Sequence, residues 1–159
     1  MSNQPTLRFT VCAAAFLFFI TWAGVSASPD LLELMQQSQD RLNIDYALDA
    51  DKFKMKKAEI QLTRDGFFRC RRTFINGKQE YYSFSFSAFE DLSYLGDEQN
   101  GWMVLKVKPE GIIVQTFRDP KGNIDTMASE LRLPFKNLQA TDLHTINDCF
   151  SQIRQRLQH

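Results

Sequence analysis

An α+β fold is predicted: a curled antiparallel meander of about seven strands, preceded by an N-terminal helix and capped by a C-terminal amphipathic one. Three observations carry this. Between Ala58 and Phe135, apolar and polar residues alternate in short runs broken by turn residues, the period of pleated chain. From Leu143 to Leu157 the apolar residues recur instead at steps of three and four, the period of a helix packed on one face. The stretch from Gly101 to Phe135 reads strand, turn, strand, turn, strand, with Pro109-Glu110-Gly111 and Pro120-Lys121-Gly122-Asn123 as turns.

The chain has 159 residues, enough for one domain with a core. Its 43% hydrophobic content separates it from disordered proteins. A formal charge of +0 gives no global pull toward nucleic acid or anionic membrane.

Residues 1–27 read as a secretory signal peptide rather than as part of the fold. Arg8 precedes an apolar run from Val11 to Trp22, too short for the roughly 20 residues of a spanning helix. Val25 and Ala27 supply the small residues of a cleavage site; an uncleaved anchor is the alternative. The expectation is an exported protein, periplasmic or secreted, with residues 28–159 as one domain and no transmembrane span in the mature chain.

Export gives the cysteines a meaning. Cys12 leaves with the signal, and Cys70 and Cys149 remain in an oxidising compartment. A disulfide between them is expected; two buried free thiols are the alternative. Neither has a Cys-x-x-Cys partner, which argues against redox catalysis or zinc.

The elements follow in order. Ser28-Pro29-Asp30 opens a helix, and Leu31, Leu34, Met35, Ser38 and Leu42 recur at helical spacing before a stop at Asn43. From Ile44 to Lys57 the pattern is weak. Ile44, Tyr46 and Leu48 alternate, as do Phe53 and Met55 among lysines, which suggests an extended, lysine-bearing edge strand. Ile60 and Leu62 lead to a turn at Arg64-Asp65-Gly66. Phe68, Cys70 and Phe74 share one face of the next strand, with Arg69, Arg71 and Thr73 opposite. Asn76-Gly77 is a favoured hairpin pair, because both positions want positive φ.

Tyr82, Phe84 and Phe86 then face one way from a strand spanning Tyr81 to Ser87, with three serines on the other side. Leu92 to Leu95 is a short strand before a polar loop, and Trp102 to Val107 is a longer one. Ile112 to Phe117 is apolar almost throughout, as a central strand would be. Leu131 to Phe135 ends the sheet. Thr141 or Asp142 caps the last helix, whose stripe is Leu143, Ile146, Phe150, Ile153 and Leu157. Cys149 flanks that stripe, so the expected bridge would pin the helix across the sheet.

Seven strands followed by a helix is similar to the element order of the pleckstrin-homology-like barrel. The likeness lies in order alone, so it implies a curled barrel but no ligand or functional residue. An open antiparallel sheet with both helices on one face is the rival.

No catalytic residue, metal site or cofactor is called for. His144 falls on the outer side of its helix with Asp148 and Ser151, as a solvated residue without the partners of a Ser/His/Asp or Cys/His arrangement. Asp49-x-Asp51 lacks the glycine of a calcium loop, and turn chemistry accounts for Asp119, Asn123 and Asp125. Glu90, Asp91, Asp97, Glu98 and Glu130 are loop acids that a glycoside hydrolase would have to bring together.

Two leads point to binding. Arg64, Arg69, Arg71 and Arg72 cluster on one hairpin, which reads either as a site for an anionic group or as a solvated face. Phe67, Tyr81, Trp102 and Phe117 sit opposite the core-facing residues, so they form either an apolar contact patch or a second buried face. The candidate contact residues are Arg69, Arg71, Trp102 and Phe117. The functional expectation is a non-enzymatic module for a protein or a small apolar or anionic ligand, with no role in nucleic-acid binding. A small carrier of an apolar ligand is the alternative, with a carboxylate-dependent hydrolase behind it.

Overall fold

The structure, a computed structural model, describes residues 30–50 and 54–158. The expected signal peptide, Cys12, the helix start at Ser28 and Pro29, Asp51 and Phe53 lie outside the described residues. The element order is α1 (Leu31–Ile44), β1 (Met55–Leu62), β2 (Phe67–Phe74), β3 (Gln79–Ser85), a 3₁₀ turn (Phe86–Ala88), β4 (Phe89–Gly96), β5 (Asn100–Val107), β6 (Ile112–Phe117), β7 (Asp125–Ala128), β8 (Glu130–Lys136) and α2 (Ala140–Arg156). Among the described residues no helix is long and apolar enough to cross a membrane.

The α+β class is right, but the barrel is not there. The strands form two open antiparallel sheets, β1-β2-β3-β6-β7 and β4-β5-β8. The meander expected from Gly101 to Phe135 is also corrected. β5 pairs with β4 and β8, while β6 pairs with β3 and β7, so β5 and β6, consecutive in the chain, lie in different sheets.

The chain crosses between sheets at three places: the 3₁₀ turn, residues 108–111 and Ser129. All three meet at one corner. Lys108 N donates to Ala88 O at 2.9 Å, Val107 N to Ser129 O at 3.0 Å, and Glu110 N to Ser129 Oγ at 3.2 Å. Gly111 is needed there, since a Cβ on it would lie 2.9 Å from both Lys108 O and Val107 Cγ2.

Between the sheets sits an aromatic cluster. Phe150 of α2 meets Phe68, Phe86 and Phe89 at centroid distances of 6.1, 4.9 and 5.5 Å. Phe84 stacks on Phe68 at 4.9 Å. The five rings are buried, as are Ile146 and Ile153 of the predicted α2 stripe and Cys149 beside it. Leu157 lies beyond the end of α2 and is partly exposed. Helix α1 buries the five residues its spacing predicts, Leu31, Leu34, Met35, Ser38 and Leu42.

The strand from Tyr81 ends at Ser85, because Phe86 turns into the 3₁₀ segment to reach the core of the second sheet. The alternation around Ile44 is not a strand. Ile44 ends α1 and is exposed, and only Tyr46 makes a bridge, to Phe135 of β8.

The bridge expected between Cys70 and Cys149 is not formed; both are buried free thiols. Each has its own neighbours, Arg72 beside Cys70 and Ser38 beside Cys149. Burial pushes each thiol pKa up to about 11, partly offset by those neighbours.

Strand β1 is an edge, as its lysines suggested, and α1 covers it. Asn43 Nδ2 donates to Ile60 O at 2.8 Å, its Oδ1 accepts from Ile60 N at 2.7 Å, and Gln39 Oε1 accepts from Leu62 N at 2.9 Å. An asparagine side chain thus stands in for a neighbouring strand, which closes this part of the edge to another chain. Asn43→Ala strips two backbone groups of partners. A loss of about 1–2 kcal/mol is expected in urea denaturation, with an increased tendency to aggregate; an unchanged midpoint would refute the role.

Candidate functional site

The five-stranded sheet has one face on the core and one that, among the described residues, no element covers. The register lays out the uncovered face in rows. One row runs Gln61, Arg69, Ser83, Ile113, Met127, and the next runs Glu59, Arg71, Tyr81, Gln115, Asp125. A third carries Lys57, Thr73, Gln79 and Phe117. The β1–β2 side is charged and the β6–β7 side is apolar, with Phe117 44% and Ile113 46% exposed. Central pairing was right for β6. Its second apolar side stays in solvent because neither helix reaches that face.

A cleft of about 800 Å³ lies over the charged half, and Lys57, Glu59, Arg69, Arg71 and Tyr81 are among its lining residues. Three cations face one carboxylate there. Glu59 serves two of them: Lys57 Nζ at 2.7 Å, and Arg71, whose Nε lies at 2.9 Å and whose Nη2 also reaches it. Those contacts hold the Glu59 carboxyl below its usual range, the Lys57 hydrogen bond first and then that of Arg71. Arg69 has no carboxylate partner among the described residues. Its guanidinium stands 5.8 Å from the Phe67 ring centroid. It is the cation most available to an incoming anion.

Tyr81 and Phe117 form the apolar side of the same surface. Their rings meet edge to face at 5.3 Å and 84°. Three of the four candidate contact residues, Arg69, Arg71 and Phe117, therefore share one face. Trp102 does not. It lies on the outer side of the other sheet, 41% exposed, in a row with Leu95 and Pro134.

Arg72 belongs to neither surface. It falls at the core parity of β2 and is 8% exposed. Its Nε donates to Tyr46 Oη at 2.7 Å and its Nη2 to Arg132 O at 2.7 Å. Glu80 Oε2 lies 3.6 Å from Nη1 and accepts from Tyr82 Oη at 2.9 Å. Burial opposes the Arg72 charge, but Tyr46, Cys70, Tyr82 and Glu80 outweigh it and its pKa rises. Burial likewise raises both tyrosines. This network ties β2 to β8 and to the segment after α1. The sequence reading placed Arg72 with the surface arginines, although its position between Cys70 and Phe74 carried the signal.

Most of the remaining polar candidates have structural partners. Asp119 accepts from Lys121 N at 2.9 Å and pairs with Lys78 at 2.8 Å. Asp49 pairs with Lys136 at 2.5 Å, and His144 sits in solvent 3.4 Å from Asp148. Asp97 accepts from the backbone of Gln99 and Asn100, both at 2.9 Å, at one end of β5, whereas Glu130 lies opposite Lys106 in the ladder near the other end and accepts from Arg132 Nε at 2.6 Å. Six residues of strand separate those ends, about 20 Å. Neither a protein family, nor a curated protein, nor a solved structure matches this chain.

Proposed function

We propose that this chain is a non-enzymatic binding module that acts outside the cytoplasm, and that the open face of its five-stranded sheet is the contact surface. The observation that carries the reading is the juxtaposition of Arg69, Arg71 and Tyr81 along one cleft, with Phe117 packed on Tyr81 beside it. An uncovered sheet face that keeps large apolar side chains in solvent is costly unless something binds there. Its chemistry suits a partner with an anionic group for Arg69 and an apolar group for Phe117. An apolar carrier would need space between the sheets, and that space is filled by the phenylalanine cluster. The likeness in element order to the pleckstrin-homology-like barrel lends no ligand to this reading.

The test is an NMR titration with a peptide of alternating glutamate and leucine. Backbone shifts are expected to centre on β2, β3 and β6 and to fade with added salt. Arg69→Glu should weaken the interaction at least tenfold and leave the thermal midpoint in place, because its side chain is exposed. Shifts scattered over the molecule, or an Arg69→Glu variant that binds as well as the parent, would sink the reading.

A further inference from the structure

Every sheet has two edges, and an edge with free backbone groups is a template for another strand. Among the described residues, three of the four edges here are covered at least in part. Helix α1 covers β1 through Asn43 and Gln39. The β8 edge takes Ala47 N on Pro134 O, Asp45 O on Lys136 N, and the Arg72 guanidinium on Arg132 O. Helix α2 packs against β4, and Arg154 reaches Phe89 O and Glu90 O, both at 3.4 Å. The outward groups left on β4 belong to Leu92 and Tyr94, whose side chains pack against the core, and to Gly96 at the strand's end.

Strand β7 is different. Asp125, Thr126 and Met127 are all exposed. Thr116 N donates to Ile124 O at 3.0 Å, which fixes the phase of the β6–β7 ladder. Residues 124, 126 and 128 point their backbone groups at β6, so those of Asp125 and Met127 point away. Among the described residues no side chain or loop hydrogen-bonds to them.

We propose that this edge pairs with the β7 edge of a second copy of the chain. A two-fold axis at Thr126 sets Asp125 opposite Met127 of the other copy. Each residue then exchanges both backbone hydrogen bonds with its opposite, and all four outward groups on each copy are satisfied. Thr126 faces its own counterpart across the axis, a favourable cross-strand pair.

The side chains fit the same operation. Met127 is 53% exposed and its neighbour in the row, Ile113, is 46% exposed. Pairing places the two Met127 side chains diagonally on one face, about 7–8 Å apart by backbone position. The apolar patch then runs unbroken from one Ile113 to the other. The Asp125 carboxylate is drawn back toward Gln115 Nε2 at 3.3 Å. A formal charge of +0 leaves no long-range repulsion between copies. Two five-stranded sheets become one of ten strands, and the proposed contact faces of both copies lie side by side.

The pairing is short, so the dimer is weak and shows only at high concentration. Sedimentation velocity of the full chain from about 10 μM to about 1 mM tests it, since few-contact associations fall in the micromolar to millimolar range. A monomer–dimer shift is expected. Met127→Lys puts two like charges on the patch and should weaken the dimer at least tenfold. Met127→Pro removes an N–H that β6 does not use, and should do the same with an unchanged circular-dichroism spectrum. A monomer throughout the range overturns the proposal, as does a dimer that both variants retain. Neither result bears on the contact face, which is read by the peptide titration.

Discussion

Arg72→Met is expected to cost roughly 3 kcal/mol of stability, the low end of the range for removing one partner of a buried ion pair. Methionine fills much of the space but supplies none of the donors. Tyr46 Oη and Arg132 O lose their hydrogen bonds, and Glu80 loses its buried cation. Glu80 keeps Lys78 at 3.0 Å, which holds the loss to the lower end. Urea denaturation reads the change directly. Arg69→Met, on an exposed side chain, should leave the midpoint where it is. The sign of the pH dependence follows from the raised pKa of Arg72. A base whose folded pKa is raised contributes fully below its unfolded value and loses that contribution only as pH climbs toward the folded one. For arginine that lies above the working range, so the gap between parent and variant should stay constant from about pH 5 to about pH 10. A loss under about 1 kcal/mol would show that water replaces the guanidinium at little cost.

Phe150→Ala should cost about 3–5 kcal/mol. Phe150 is fully buried and is the ring through which α2 touches both sheets' aromatic residues. Removing it deletes apolar contact and leaves a cavity walled by Phe68, Phe86 and Phe89, rings too large to close over it. The thermal midpoint should drop by roughly 10–20 °C for a domain of this size. A variant that melts within a few degrees of the parent would mean that α2 is not what holds the sheets together.

Much of this architecture was legible because it is written locally. The apolar spacing from Leu31 to Leu42 and from Ile146 to Ile153 gave the buried sides of both helices. Alternation gave the two sides of β2 and β3, and so put Arg69 and Arg71 on one surface. What failed was long-range. The turn at Pro109-Glu110-Gly111 has the residues of a hairpin, yet it carries the chain from one sheet to the other. Turn residues fix how the backbone reverses, not which strand it meets next.

Strand β7, Asp-Thr-Met-Ala, lacks the aromatic and β-branched weight that marks a strand, and its open edge was invisible for the same reason. Trp102 was grouped with Phe117 on parity, but parity cannot say that two strands belong to different sheets. Arg72 was misplaced because an arginine at a core position reads as surface until its partners, as distant in sequence as Tyr46 and Arg132, are known.

The corner where residues 88, 107–111 and 129 are stitched together bears on how the protein is made. A ribosome releases the chain from its N-terminus, so β3 waits for β6, and β5 waits for β8. Until about residue 128 has emerged neither sheet has its full set of strands, and the smaller one waits until residue 136, so the phenylalanines of the first half have little to close over them. Folding dominated by such distant pairings is slow, in the millisecond-to-second range. A nascent chain of this design stays open for longer than a helical bundle of equal length. That delay makes shielding by a holding chaperone valuable in the interval.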